Sequence, residues 1–436
     1  MHRAEDNRGE ERAILVSLLL KDPHHSVERA RRSLEELEQL AQTARLNVLA
    51  SVVQHKDRVD PRWLIGRGKV EELRELVLEL EPDTVIFNQE LSGMQVRNLE
   101  QVLDVKIIDR TQLILDIFAA RARTSEGKIQ VELAQLNYLL PRLAGHGKNL
   151  SRLGGGIGTR GPGETKLETD RRHIHRRIRE LERKLVTVVR HRRLQREGRN
   201  RSGLYQVALV GYTNAGKSTL LRQLTHSDDA HVEDKLFATL DPMTRRAHLP
   251  TGRDILVSDT VGFIQDLPHE LVRAFRATLE EVLEADLLVI VVDGSAPDWY
   301  EQLMVVRRVL DDLGASQDRR LTVFNKMDLC EEHQRELLAT DGPYLCISAF
   351  RDEDVERLKQ AIDDQLPGEI MSFRLPVTDG ESLSMLHRIG EVLKMKHDQE
   401  HTFVEVRVDS SQYEKYRSRF LPYEHADGKG RAETEP

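Results

Sequence analysis

Gln206-Val207-Ala208-Leu209-Val210 runs straight into Gly211-Tyr212-Thr213-Asn214-Ala215-Gly216-Lys217-Ser218, and Thr219 to Leu224 continues with helical character. The apolar run reads as a buried strand and the segment after Ser218 as a helix, so a glycine-framed loop joins the two. Its glycines let the backbone close around a chain of phosphates, and the N-terminus of the following helix favours their negative charge. Lys217 is placed to reach the terminal phosphates and Ser218 to ligate Mg²⁺, with Thr219 beginning the helix behind them. A strand feeding a helix through such a loop predicts an α/β domain with a mostly parallel sheet.

Downstream, Asp254 to Ser258 reads as a second strand ending in Asp259-Thr260-Val261-Gly262. A carboxylate at a strand tip can hold a metal through water, and Gly262 can offer its N–H to a γ-phosphate. Asp and Gly are common in ordinary turns, so the position after the next strand is what gives this tetrapeptide its weight. Leu321 to Phe324 then leads into Asn325-Lys326-Met327-Asp328. The Asp328 carboxylate can accept hydrogen bonds from the N1–H and 2-amino group of guanine, which adenine does not offer in that arrangement; a carboxylate left unpaired by the wrong base discriminates strongly. Asn325 is expected to brace the loop and Lys326 to lie across the base. Tyr344 to Ile347 leads to Ser348-Ala349-Phe350, suited to placing a backbone N–H at the guanine oxygen. Four motifs in this order specify a guanine-nucleotide domain over residues 204–367, with GTP and GDP as ligands.

The catalytic set expected from these residues is Lys217, Gly262 and a switch threonine, for which Thr239 and Thr244 are both candidates. The residue after Gly262 is Phe263, whose ring cannot accept a hydrogen bond from an attacking water. Intrinsic hydrolysis is therefore expected to be slow, with the missing group supplied by another element or by a partner. Gln265 stands nearby and reads by default as a surface amide.

Upstream the chain divides in two. Residues 1–120 alternate strands (Ala13 to Leu20, Arg45 to Val53, Thr84 to Phe87, Val105 to Ile108) with helices near Ser26 to Ala44, Lys69 to Leu80 and Gly93 to Leu103, a small α/β domain. Residues 121–203 change character. Ile129, Leu133, Leu136, Leu140 and Leu143 fall at helical spacing, a glycine-rich stretch covers Gly154 to Gly163, and Leu167, Ile174, Leu181 and Val188 recur every seventh position with Ile178 and Leu185 between them. Two helices joined by a glycine loop predict an antiparallel hairpin, the second helix running from about Glu164 to Gln195. That helix carries Arg171, Arg172, Arg176, Arg177, Arg179, Arg183, Arg190, Arg192 and Arg193 against only Glu180 and Glu182 nearby. Such a face is either merely solvated or a phosphate-neutralising surface. RNA contact is the reading adopted, with Arg152 and Arg160 of the loop region joining Arg171, Arg172 and Arg176. The glycine loop itself is open to two other readings, an inert linker or a second anion nest.

After the nucleotide domain, Met371 to Leu375, Ser382 to Met395 and Thr402 to Val408 read as strand, helix and strand, a small α+β domain over 368–424. Residues from about Pro422 are polar and expected to be disordered, leaving a tail over 425–436. The whole chain has 436 residues, a net charge of −8 and two cysteines. Its length exceeds one core, and the cysteine count argues against a disulfide-built secreted protein. The first apolar run is too short for a signal core or a spanning helix. The cytosol is the expected location, without stable membrane insertion and with weak peripheral membrane contact as the outer limit.

Beyond these motifs, Leu64-Ile65-Gly66-Arg67-Gly68-Lys69, Gly154 to Arg172 and Phe237-Ala238-Thr239-Leu240-Asp241 make nearly the whole chain resemble the HflX family, of the Obg–HflX group of translation-factor-like P-loop GTPases. The resemblance implies a Ras-like nucleotide domain and places Phe237, Ala238 and Thr239 in the first switch, Thr239 coordinating Mg²⁺ and orienting water. It also sets Asn214 where related GTPases hold K⁺ against the phosphates; a loop-bracing amide is the plainer alternative. The function it implies is a GTPase that binds the large ribosomal subunit in its GTP state, separates or rescues stalled ribosomes, and hydrolyses GTP for release under stress. The alternatives are a GTPase of ribosome assembly or RNA modification, and a nucleotide-gated regulator of a membrane protease complex.

Overall fold

The computed structural model of the chain describes residues 11–21, 27–143, 169, 171–188, 204–225, 236–237, 243–265, 280–366, 368–408 and 410–425. They divide into two compact units. One holds the N-terminal sheet, the helical hairpin and two short pieces that include Phe237 and Phe263 to Gln265; the other holds the nucleotide-domain and C-terminal sheets.

In the first unit, β1 (Glu11–Leu20), β2 (Leu46–Lys56), β3 (Thr84–Phe87) and β4 (Lys106–Asp109) form an all-parallel sheet in the order β2-β1-β3-β4. β1 has a neighbour on both edges, and its run Ala13 to Leu18 is buried, as expected for a strand covered on both faces. Helices α1 (Val27–Thr43), α2 (Arg67–Leu80), α3 (Gly93–Leu103) and α4 (Arg110–Arg121) cover it. Val70, Leu73 and Leu99 pack on Ile14, Val16, Val85 and Phe87. α3 starts on a capping box, Ser92 and Gln95 each accepting from the other's backbone N–H.

The hairpin pairs α5 (Ser125–Leu143) with α6 (171–188). Leu133, Ile178 and Leu181 are buried at the seam, with Ile129, Leu136, Leu140, Ile174 and Leu185 packed around them. Leu143 and Val188, also placed on the seam by spacing, are half-buried and stand outside that cluster. Leu167 and the glycine loop lie outside the described residues. α5 is tied to the sheet through Asp109, which caps α4 and accepts from Tyr138 Oη at 2.5 Å, Arg142 Nη2 at 2.8 Å and Leu91 N at 2.9 Å. Burial first, then the Asp109 charge, pushes the Tyr138 phenol well above its ordinary pKa, so the phenol stays a donor.

In the second unit, β5 (Tyr205–Gly211), β6 (Met243–His248), β7 (Asp254–Asp259), β8 (Leu287–Asp293), β9 (Arg320–Asn325) and β10 (Tyr344–Cys346) form a sheet in the order β10-β9-β8-β5-β7-β6. Only β6 is antiparallel. β8 and β6 were not anticipated from the sequence, although the apolar run at Leu287 to Val292 is the buried-strand signature. The third sheet, β11 (Glu369–Pro376), β12 (Gly390–His397) and β13 (His401–Val408), is antiparallel in the order β11-β13-β12.

Two C-terminal expectations are corrected. The helix expected over Ser382 to Met395 ends at Ile389, and Gly390 opens β12. A Cβ at Gly390 would stand 2.6 Å from side-chain atoms of Val406 and Val408, so the crossing onto β13 requires glycine. Disorder expected from Pro422 is also overturned as far as His425. Leu421–Tyr423 is a 3-10 turn, Glu424 bridges Phe373, and His425 N donates to Ser372 O at 2.8 Å. No helix among the described residues is long and apolar enough to cross a membrane.

Candidate functional site

β5 delivers the glycine-framed loop and α7 (Lys217–Thr225) receives it. At Gly211 a Cβ would stand 2.2 Å from Val291 O, so the loop leaves its strand flush against β8. Asn214 and Gly216 take positive φ, 59° and 95°, which turns the backbone around. A Cβ on Gly216 would meet Asn325 Nδ2 at 2.2 Å. That contact is organised: Asn325 Nδ2 donates to Ala215 O at 2.9 Å and its Oδ1 accepts from Ala349 N at 3.0 Å. One buried carboxamide therefore joins the phosphate loop, its own loop and the Ser348-Ala349 turn, which is the bracing arrangement the sequence suggested.

Lys217 is buried, and its ammonium donates to Gly211 O at 3.2 Å and Tyr212 O at 2.8 Å. Burial pushes its pKa down to about 8, with the Asp259 charge opposing. A desolvated cation in this state gains most from an arriving anion. Thr213, Ala215 and Thr219 are buried around it, whereas Asn214 is exposed.

β7 carries Asp259 to the same place, and Ser218 Oγ donates to Asp259 Oδ2 at 2.7 Å. A hydroxyl and a carboxylate this close are hard oxygen donors of the kind Mg²⁺ takes. Thr260 Oγ1 anchors the following turn on Leu209 O at 2.8 Å, and Val261 is buried. Gly262 lies against the phosphate loop: a Cβ there would be 2.9 Å from Thr213 Cα and 3.0 Å from Lys217 Nζ.

On the base side, Lys326 has a φ of 63° and its ammonium pairs with Asp293 Oδ2 at 2.8 Å. The expectation that Lys326 lies across the base thus meets an anchored ammonium. Asp293 Oδ1 also accepts from Ser295 N at 3.0 Å and Ser295 Oγ at 2.6 Å. Asp328 accepts from Ser348 Oγ at 2.6 Å, and Ser348 N donates to Asp354 Oδ2 at 2.9 Å. Met327 is buried, its N–H bonded to Ile347 O, while Phe350 is 71% exposed.

Of the two candidate switch threonines, Thr244 lies in β6 with its hydroxyl bonded to Ser258 Oγ at 2.8 Å. Thr239 and Ala238 lie outside the described residues, as do Arg152 and Arg160. Phe237 is buried against α4, its ring meeting Phe118 edge to face at 4.6 Å and its carbonyl accepting from Arg121 Nη1 at 2.6 Å. Phe263 is buried, and Gln265 presents its carbonyl to Arg110 Nη2 at 3.2 Å. Arg171, Arg172 and Arg176 are exposed on α6, while Arg177 turns inward to Glu132. Asp293, Ser295, Asp354, Arg110, Phe118 and Arg121 were not read from the sequence; only Asp293, closing an apolar run, carried a signal.

Three family models match the chain: GTP-binding GTPase N-terminal over residues 31–119, GTP-binding GTPase Middle Region over 121–199, and 50S ribosome-binding GTPase over 206–326. A protein of Caldanaerobacter subterraneus named GTPase HflX is 49% identical over 413 residues, covering 94% of each chain. Its namesake in Alkalihalophilus pseudofirmus is 53% identical over 343 residues, covering 79% of this chain and 80% of its own. A solved complex of SsGBP with GDP is 24% identical, covers 82% of this chain and 98% of its own, and has a TM-score of 0.45.

Proposed function

The chain belongs to the HflX family of GTPases and hydrolyses GTP, and from that premise we propose that it binds the large ribosomal subunit in its GTP state, separates or rescues stalled ribosomes, and is released by hydrolysis. The observation that carries the reading is the hairpin. Its apolar seam faces inward and leaves Arg171, Arg172, Arg176, Arg179 and Arg183 exposed on one helix, a phosphate-neutralising surface in the same chain as a nucleotide switch. The family model matching residues 206–326, described as ribosome-binding, points the same way.

In this reading the nucleotide phosphates rest in the loop from Gly211 to Ser218, with Thr219 behind it. The buried Lys217 ammonium exchanges its two carbonyl partners for phosphate oxygens. Ser218 and Asp259, with Thr239 as the resemblance implies, would hold Mg²⁺, and the ion would supply charge neutralisation to the phosphates. Thr260 and Val261 set the turn from which the Gly262 N–H would reach the γ-phosphate, and Asn214 would be the residue to hold K⁺. Asn325 and Lys326 shape the base pocket, Asp328 reads guanine, and Ser348, Ala349 and Phe350 close it. Phe237, Ala238 and Thr239 form the first switch. Phe263 supplies no acceptor for water, so turnover is slow until the ribosome completes the site.

The test uses purified ribosomes, the full chain and a variant lacking Gly154 to Gly163. Ribosome-stimulated GTP turnover and free subunits on sucrose gradients, both lost in the deletion, are the expected result. Turnover indifferent to ribosomes would sink the proposal while leaving GTP hydrolysis intact.

A further inference from the structure

The C-terminal sheet has one covered face and one open only in part, since Arg407 on it pairs with Asp364 of the helix Asp352–Gln365 at 3.9 Å. Phe373, Leu375, Val404, Val406 and Val408 pack with Leu386, Ile389, Tyr413 and Phe420 from the helices Gly380–Ile389 and Ser410–Phe420. The alternate residues of the central strand β13, His401, Phe403, Glu405 and Arg407, are half-buried and point the other way. Phe403 stands in the middle of that face. Its register partner on β11 is Arg374 and its register partner on β12 is Lys396, both exposed. Directly opposed residues of an antiparallel pair share a face, so one row across the sheet reads Arg374, Phe403, Lys396.

The surroundings of that row are ordered. The Arg374 guanidinium carbon lies 5.5 Å from the Phe403 ring centre, and Arg374 Nη2 meets His401 Nδ1 at 3.2 Å. The His425 ring is 5.9 Å from the Phe403 ring, held there by the bond from its N–H to Ser372 O. In the next row Glu405 is matched by Lys394 at 3.2 Å. Among the described residues Lys396 has no ion pair; the acid nearest Arg374 is Asp398, 4.0 Å from His401 Nδ1, whose carboxyl is held below its ordinary pKa mainly by the backbone N–H groups of Glu400 and His401, with the Arg374 charge adding to it.

A half-exposed aromatic ring flanked by two cations fits one class of occupant. The core of a protein interface is depleted in lysine. Single-stranded nucleic acid, by contrast, brings bases to stack on a ring and phosphates for the cations beside it. We propose that the open part of this face is a platform for single-stranded RNA, with Phe403 taking one base, His425 extending the stacking surface, and Arg374 and Lys396 taking the adjoining phosphates. The site lies on the C-terminal sheet and not on the hairpin helix α6, and it requires no bound nucleotide.

The experiment titrates fluorescein-labelled decauridine with the full chain, read by anisotropy, and maps cross-links from a 5-iodouridine version. Phe403→Leu keeps an apolar side chain and removes the stacking face; it should weaken binding about tenfold, with Phe403→Trp restoring it. Arg374→Glu should weaken binding and lower its salt dependence. Arg176→Glu, on the hairpin, should leave the cross-link at Phe403 in place. Thermal melting and GTP turnover of Phe403→Leu should match the parent, so a failure here does not touch the ribosomal reading. Wild-type affinity in Phe403→Leu, cross-links confined to α6, or equal binding of a polyglutamate peptide would overturn the platform.

Discussion

Phe118 on α4 and Phe237, two residues before Thr239, meet edge to face with ring centres 4.6 Å apart, both shut away from water. Arg121, one turn along the same helix, holds the Phe237 carbonyl, and Phe237 sits at a φ of 56° that a side-chain-bearing residue seldom adopts unaided. The backbone at Phe237 is therefore pinned by tertiary contact and not by local preference. Phe118→Leu should cost on the order of 1 kcal/mol in stability. Amide exchange at Leu236 and Phe237 should rise at least severalfold, with GDP affinity within twofold of the parent. Unchanged exchange would show that the aromatic pair restrains nothing.

Lys217 links stability to pH in a direction opposite to a salt-bridged lysine. Its folded pKa of about 8 lies below the ordinary 10.5 because burial outweighs the Asp259 charge. Below pH 8 the cost of the buried ammonium is fully present; between about 8 and 10.5 the unfolded chain binds the extra proton, so this group's contribution improves as pH rises. Nucleotide-free Lys217→Met should exceed the parent in stability by up to about 3 kcal/mol at neutral pH, the gap closing above pH 10. Parallel denaturation curves at several pH values provide the check.

Asp328→Asn should exchange guanine for xanthine. Ser348 Oγ, 2.6 Å from Asp328 Oδ1, can donate equally to an amide oxygen, so the loop keeps its shape. The new amide N–H faces the guanine 2-amino group unfavourably but suits the 2-oxo group of xanthine. GTP affinity should fall at least about a hundredfold while xanthosine triphosphate gains. Retained guanine preference in competition titrations would remove Asp328 from base recognition.

Gly262→Ala probes the turn packed on the phosphate loop. The added methyl would stand 2.9 Å from Thr213 Cα and 3.0 Å from Lys217 Nζ, so the turn must move away. GDP binding should stay within about threefold and GTP turnover should drop at least tenfold, because one γ-phosphate hydrogen bond is lost in the transition state. Single-turnover kinetics separates the two effects.

The site was legible wherever its chemistry lies in consecutive residues after a strand. Gly211 to Ser218, Asp259 to Gly262 and Asn325 to Asp328 each carry their spacing in the chain itself. Asp293 and Asp354 were not, because each acts through one bond to a distant residue, Lys326 and Ser348, and a lone acid in a sequence has no such address. Arg110 and Phe118 were hidden for the same reason. The helix read through Gly390 failed differently. Leu383, Leu386, Ile389 and Val392 keep a three-residue spacing across the break, and only the glycine marked it. β6, a charged edge strand with Arg245 and Arg246, has no apolar run to announce it.

Asp109 has a practical consequence for dissecting the chain. Its fully buried carboxylate is matched by Arg142, with Tyr138 beside it, both on α5. A recombinant fragment ending at residue 120 would keep the acid and discard its countercharge and its phenol, a loss of about 3–5 kcal/mol. The N-terminal sheet should thus be expressed only with α5 carried through Leu143. Shorter pieces are expected in the insoluble fraction.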